Sequence, residues 1–271
     1  MSQHTLDRAR DLAGYDDVSA IRQAQDHDWI LNLVPRPPRR IADLGCGTGA
    51  LLDAVLDRWP AATRVLGVDG APARVREATQ RLGERADIRY GDLRQLTALD
   101  EKFDLVTMTS VLHWLHPDEG HTFDWIADHL DEDGAFLLTT HHPDTDETGL
   151  GGEDVVARDA LALLGIGADT LTGIVPMGVR ARPADAVRTL LERRLTVDTY
   201  QERRVAVRTR SAEEYQHFHA ATFGTYFSRL VPEARQEDFF RAVGTAAARR
   251  MTERGEVYGI TVRAWRAVPT H

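Results

Sequence analysis

The residues best placed to do chemistry are three glycines at alternate positions, Gly45, Gly47 and Gly49, and three aspartates, Asp43, Asp69 and Asp92, each closing a short run rich in apolar residues. Glycine removes the side chain where a backbone must turn sharply and lie against a ligand. The spacing is G-x-G-x-G, not the G-x-G-x-x-G that seats a dinucleotide pyrophosphate on a helix N-terminus. Asp43 stands two residues before the first glycine, where a carboxylate repels a pyrophosphate and suits a ligand carrying an ammonium or sulfonium group. Asp69 follows Gly49 by twenty residues, the interval at which an acid accepts hydrogen bonds from both ribose hydroxyls. A competing role for Asp69 is capping the next helix, which has Pro72 near its first turn. The set favours a nucleotide-like cationic ligand over NAD.

These residues need strands and helices to hold them. Residues 40–52 read as strand, tight turn and helix, with Leu51, Leu52, Val55, Leu56 and Trp59 continuing at helical spacing until Pro60. A strand over 64–69, a helix from Pro72 to about Leu82, a strand over 87–93 and a strand over 103–110 follow. An amphipathic helix spans 118–131, and the acidic stretch 131–134 turns into a strand over 135–140. Alternating strands and helices predict an α/β sheet, and the ligand crevice of such a sheet lies at the carboxyl ends of its strands, where all three aspartates fall. Before this core comes a polar arm over 1–17 and a helix that Ser19 caps and Pro35 stops. After it, 144–178 is loosely organised around a short helix over 155–164, which makes it a candidate lid. A helix over 183–191, a strand over 195–207, a capping-box helix opening at Ser211 and Glu214, a helix over 232–251 and a last strand over 257–267 complete the chain. The aromatic residues Tyr215, Phe218, Phe223, Tyr226 and Phe227 read mainly as core, and His217 and His219 as surface or pocket residues without a role.

The stretch from Asp43 to Gly49 resembles motif I of class I S-adenosylmethionine (SAM)-dependent methyltransferases. The segment Val111-Leu-His-Trp114 is similar to the part of small-molecule methyltransferases that passes beneath the methionine end of the cofactor, and the resemblance is strong over about 39–140. It points to the trans-aconitate methyltransferase-like group and to methyltransferases of bacterial secondary metabolism. It implies a Rossmann-like seven-stranded, mostly parallel sheet in the order 3-2-1-4-5-7-6, with helices on both faces and a mainly helical cap. It also implies that Gly45, Cys46, Gly47, Gly49, Asp69 and Gly70 border the cofactor with Asp43, that Asp92 receives the adenine amino group and that Leu93 offers its N–H to the ring. Tyr15 would lie over the cofactor, or else be a surface tyrosine on a mobile arm. Thr109 and Ser110 would touch the cofactor, and His113 or Trp114 would face the transferred methyl. His113 reads either as a general base or positioning group or as a buried structural histidine.

The strand ending at His141 and His142 could contact substrate with one of them. Adjacent side chains of a strand point to opposite faces, and no HxxxH or HExxH accompanies the pair, so no metal site is expected. Cys46 is the only cysteine, which rules out an intramolecular disulfide; its small size explains its place in the glycine loop better than a catalytic thiol does. The formal charge of −9 argues against a nucleic-acid partner. With no apolar run near the roughly 20 residues of a membrane span and no signal core, the reading is a cytoplasmic protein without a membrane role. No Asn/Asp-Pro-Pro-Tyr/Phe motif follows the fourth strand, against amino-directed DNA or protein-glutamine methylation.

The expected organisation is an N-terminal arm and helix over 1–38, a cofactor-binding core over 39–142, a lid over 143–182 and the remaining sheet over 183–271, whose helical insertion at about 211–251 adds to the cap. The expected activity is methyl transfer from SAM to an oxygen, nitrogen or carbon nucleophile of a small molecule, by a monomer or homodimer. The alternative is a protein that binds SAM without methylating, as a binding module or a catalyst of rearrangement or cyclisation.

Overall fold

A computed structural model of the chain describes residues 2–12, 21 and 27–270. In chain order its first half comprises α1 (Ser2–Asp11), α2 (His27–Leu31), β1 (Arg40–Leu44), α3 (Ala50–Arg58), β2 (Arg64–Asp69), α4 (Pro72–Leu82), β3 (Asp87–Tyr90), β4 (Phe103–Thr109), α5 (Leu112–Leu115), α6 (Gly120–His129) and β5 (Leu130–Pro143). The second half comprises α7 (Glu153–Leu163), α8 (Met177–Arg180), α9 (Ala184–Leu191), β6 (Leu195–Val207), α10 (Ala212–Phe227), α11 (Gln236–Arg254) and β7 (Tyr258–Pro269). The seven strands form one sheet in the expected order β3-β2-β1-β4-β5-β7-β6. Parallel pairing joins β1 to β2 and β4, β2 to β3, and β4 to β5.

The chain divides into two compact units. One consists of Gln25–His141, Arg180–Arg203 and Val262–His271. Here successive strand residues point to opposite faces: Ile41, Val65, Leu105 and Leu137 pack with Leu51, Leu52 and Val55 of α3, whereas Ala42, Leu66, Val106 and Phe136 pack with Phe123, Trp125 and Ile126 of α6. Two apolar cores therefore clamp the sheet and fix its register, which sets Asp43 opposite Gly67 of β2 and Thr107 of β4.

The other unit consists of Met1–Ala24, His142–Val179 and Arg204–Thr261, and among its described residues it is mainly helical. Within it α10 packs on α1 and α11, and α11 packs on α7. Glycines permit the close approach: a Cβ on Gly224 would lie 2.4 Å from Cα of Ala9, and one on Gly244 would lie 2.4 Å from the carbonyl oxygen of Ala212. Tyr215, Phe218, Phe223, Phe227, Phe239 and Phe240 are fully buried, so the aromatic cluster is core.

Several sequence expectations need correction. His219 is not a surface or pocket residue but is fully buried, with the rings of Phe227, Phe223, Phe240, Tyr215 and Phe239 at 4.9, 5.7, 6.0, 6.2 and 6.4 Å. The acidic stretch 131–134 is not a turn but the irregular start of β5. The register against β4 shifts between Phe103 and Leu105, and Gly134 lets the backbones close up, since a Cβ there would meet the Phe103 carbonyl at 2.9 Å. The capping box is half formed: Ser211 Oγ accepts from the Glu214 N–H at 3.1 Å, but the Glu214 carboxylate accepts from the backbone of Arg210 instead of Ser211. The third strand stops at Tyr90, and the helix expected from Pro232 begins at Gln236 after a short 3-10 turn.

Candidate functional site

The glycine loop leaves β1 in a conformation that side chains resist. Gly45, Gly47 and Gly49 have φ of +80°, +56° and +80°, all in the left-handed region. The three serve different purposes. A Cβ on Gly45 would lie 2.2 Å from Val111 Cγ2, and one on Gly49 would lie 2.9 Å from Leu82 Cδ1, so these two allow close packing of the protein on itself. A Cβ on Gly47 would meet no atom of the described residues within 4 Å, so among these the loop faces open space there. The N–H groups of Gly45 and Cys46 both donate to the Val68 carbonyl, at 2.7 and 3.1 Å, which anchors the turn to β2.

Asp69, at the end of β2, ties the same loop from its side chain. Its Oδ2 accepts from the Gly47 N–H at 2.9 Å and its Oδ1 from the Ala71 N–H at 2.8 Å. A carboxylate offers about four lone-pair positions, so two remain for a ligand. Asp43 is buried, and its Oδ1 accepts from Thr107 Oγ1 at 2.7 Å. Burial raises its pKa to about 7 against the lowering effect of the Thr107 hydrogen bond, and the nearby Asp69 charge raises it further. Asp43 therefore sits at the edge of ionisation near neutral pH, where a cationic ligand favours its charged form. Burial pushes the Cys46 thiol well up, and the neighbouring Asp43 and Asp69 add to this, so it is a space-filling group and not a nucleophile.

Gly70 lies beside Gly91, whose carbonyl would be 3.6 Å from a Cβ at position 70. Asp92 accepts both Arg94 Nε at 2.9 Å and Arg94 Nη2 at 2.8 Å, and this pairing holds its pKa below the usual carboxylate value. Leu93 is buried, its carbonyl accepting from Thr122 Oγ1 at 2.8 Å. Thr109 ends β4 opposite Thr139 of β5. Ser110 follows with a left-handed φ of +60°, its N–H donating to the Thr139 carbonyl at 3.2 Å. Its hydroxyl lies 3.4 Å from His141 Nε2.

His113 is buried in the single turn α5, its ring 4.8 Å from that of Trp114. The His113 carbonyl accepts from Arg180 Nε at 2.8 Å, and the Arg180 guanidinium lies 5.8 Å from the Trp114 ring. A second clasp holds the same segment: the Arg182 guanidinium donates through Nε and Nη2 to the buried Glu119 carboxylate, at 2.6 and 2.9 Å.

The first unit thus contains Asp43, Gly45, Cys46, Gly47, Gly49, Asp69, Gly70, Asp92, Leu93, Thr109, Ser110, His113, Trp114 and His141, while His142 belongs to the second. Tyr15 and Ser19 lie outside the described residues. Among the described residues no group of histidine, cysteine, aspartate and glutamate side chains is arranged to hold a metal ion. Sequence reasoning missed Thr107, the packing of Val111 against Gly45, Arg180 and the Glu119–Arg182 pair. A polar residue inside the apolar strand 103–110 is a signal for Thr107; nothing local marks the arginines, which act on partners more than sixty residues away.

Comparison with known proteins adds the following. Residues 41–134 match the family described as methyltransferase domain. The chain is 30% identical over 135 residues to a malonyl-[acyl-carrier protein] O-methyltransferase of Acetivibrio thermocellus, covering 49% of this chain and 47% of that protein. It is 38% identical over 94 residues to a trans-aconitate 2-methyltransferase of Mycolicibacterium gilvum, covering 34% and 35%. The chain thus spans half or less of the length of these relatives. Among solved structures, the N-methyltransferase NodS of Bradyrhizobium japonicum, in complex with S-adenosyl-L-homocysteine (SAH), superposes with a TM-score of 0.52 at 18% identity, covering 100% of this chain and 99% of that one. A likeness at that identity concerns the fold.

Proposed function

We propose that this chain, whose residues 41–134 match the methyltransferase domain family, transfers a methyl group from SAM to an oxygen, nitrogen or carbon nucleophile of a small molecule. The observation that carries this reading is the open face of Gly47 beside two carboxylates: the loop has space for a ligand where its backbone is bare, and Asp43 and Asp69 suit a cation that also presents hydroxyl groups. When bound, SAM supplies an electrophilic methyl on a sulfonium sulfur.

The work of the chain is then positioning. Asp69 accepts the ribose hydroxyls through its remaining lone pairs while holding Gly47 in place. Asp43, charged in the bound state, favours the sulfonium and methionine ammonium. Asp92 and Leu93 meet the adenine ring. His113 and Trp114, braced by Arg180, border the transferred methyl. Holding an acceptor in near-attack geometry replaces about 7–11 kcal/mol of barrier, so most of the acceleration needs no covalent participation by the protein.

Malonyl-acyl carrier protein and trans-aconitate, named for two relatives, are acids, and the acceptor here is proposed more broadly as a small molecule bearing an oxygen, nitrogen or carbon nucleophile. The site of action is proposed as the cytoplasm, as a monomer or homodimer without nucleic acid. The net charge of −9 supports the last point, and no helix among the described residues is long and apolar enough to cross a membrane. Incubation with methyl-labelled SAM and a panel of small acids, hydroxyl compounds and amines tests the activity. Label recovered in an acceptor with matching SAH release is expected; SAM bound but never consumed would instead favour a non-methylating use of the fold.

A further inference from the structure

Ser110, the residue just past β4, and His141, near the end of β5, form a polar pair outside the glycine loop. Ser110 is one of the few described non-glycine residues with a left-handed φ. That conformation is unfavourable for a side-chain-bearing residue and is retained only where surrounding contacts impose it. Thr139 supplies such contacts: the Ser110 N–H is held by both its carbonyl and its Oγ1, each at 3.2 Å. Thr139 and His141 alternate along β5 with Thr140, which turns the other way to meet Trp265 Nε1 at 3.3 Å. The strand therefore puts Thr139 under the Ser110 backbone and His141 against its hydroxyl. Both Ser110 and His141 are at least nine-tenths buried, and they meet at 3.4 Å through Oγ and Nε2. A serine turned out of the extended conformation between a strand and a helical turn, with an imidazole on its hydroxyl, is an arrangement for moving a proton.

We infer that Ser110 and His141 take up the proton of the methyl acceptor, and hence that the acceptor is a hydroxyl compound, a phenol or an enol, and not a carboxylate. This rests on the methyl-transfer reading above. A carboxylate has no proton to lose at neutral pH and needs no such pair. With the imidazole proton on Nδ1, Nε2 accepts from the Ser110 hydroxyl. As the acceptor oxygen forms its bond to the methyl carbon, the bond from that carbon to the donor sulfur breaks and its electron pair stays on sulfur. The acceptor proton passes to Ser110 Oγ, the Ser110 hydroxyl proton passes to His141 Nε2, and the imidazolium returns its proton to solvent after product leaves. Thr139 is a positioning residue, since it acts through the Ser110 backbone.

The test uses the full chain, His141→Gln and Ser110→Ala, with melting curves to confirm folding, SAH calorimetry, and turnover on phenols graded from 4-nitrophenol to phenol, on an enolic 1,3-diketone and on carboxylic acids. The expected result for His141→Gln is SAH affinity within about twofold of the original chain, unchanged KM, and a kcat that falls about 10²–10⁴-fold on phenol, with a kcat loss of the same acceptor dependence for Ser110→Ala. The fall should be far smaller on 4-nitrophenol, which ionises near neutrality. A purely structural role would lower all acceptors alike. Methylation confined to carboxylic acids, absence of turnover on every hydroxyl acceptor, or a loss independent of acceptor acidity overturns the inference while leaving SAM binding and methyl transfer standing. Failure of the original chain to bind SAH would instead remove the reading on which it rests.

Discussion

Asp43 links the chemistry of the site to the stability of the protein. Its folded-state pKa, near 7, lies above the ordinary carboxylate value because the side chain is buried. Below about pH 4 it is protonated whether the chain is folded or not. Between there and about pH 7 the unfolded chain has lost the proton and the folded chain has kept it, so stability declines as pH rises across this window. Asp43→Asn should therefore melt with the original chain near pH 4 and be more stable by about 2–4 kcal/mol near pH 8. Equal melting temperatures at both pH values would show that Asp43 ionises freely. The same substitution removes the charge that favours a sulfonium, so SAM affinity should fall while stability rises, a combination that simple damage to the fold does not produce.

At the scale of elements, α10 carries a histidine that no hydrogen bond justifies. Neither ring nitrogen of His219 has a partner, and burial lowers its pKa to about 3. The unfolded chain takes up the proton below about pH 6.5 and the folded chain does not, so the stability of the fold declines as pH falls from there toward 3. His219→Leu keeps the apolar shape and removes the titration. It should gain about 2 kcal/mol near pH 5 and flatten the acid limb of the melting profile. An unchanged acid limb would assign that limb to other groups. Elements also differ in how far the sequence foretells them. The bounds of β2, α4 and β6 are legible because Pro60, Pro72 and alternating apolar residues punctuate them locally. The start of β5 is not, because acids and a glycine read as a turn, and only cross-strand pairing with Phe103 makes them a strand.

Over the whole molecule, the seven-stranded order follows from alternating strands and helices together with the family likeness, and the candidate site is legible where it is local. The bends of the glycine loop are read directly, since alternate glycines fix them, and so is Asp69 at the end of β2, whereas Asp92 lies beyond β3, which stops at Tyr90. Thr107 beneath Asp43, Val111 against Gly45, and the Arg180 and Arg182 clasps depend on strand register or on contacts between distant parts of the chain, which composition and spacing do not encode. The central claim is that the bare backbone of this loop receives SAM. Calorimetric titration of the original chain and of Gly47→Val with SAM, SAH and NAD tests it most directly, with a melting curve to check the variant because valine is strained at that left-handed φ. The account predicts saturable binding of SAM and SAH, none of NAD, and loss of both former ligands in the folded variant. Tight NAD binding without SAM binding, or undiminished SAM affinity in Gly47→Val, would contradict it.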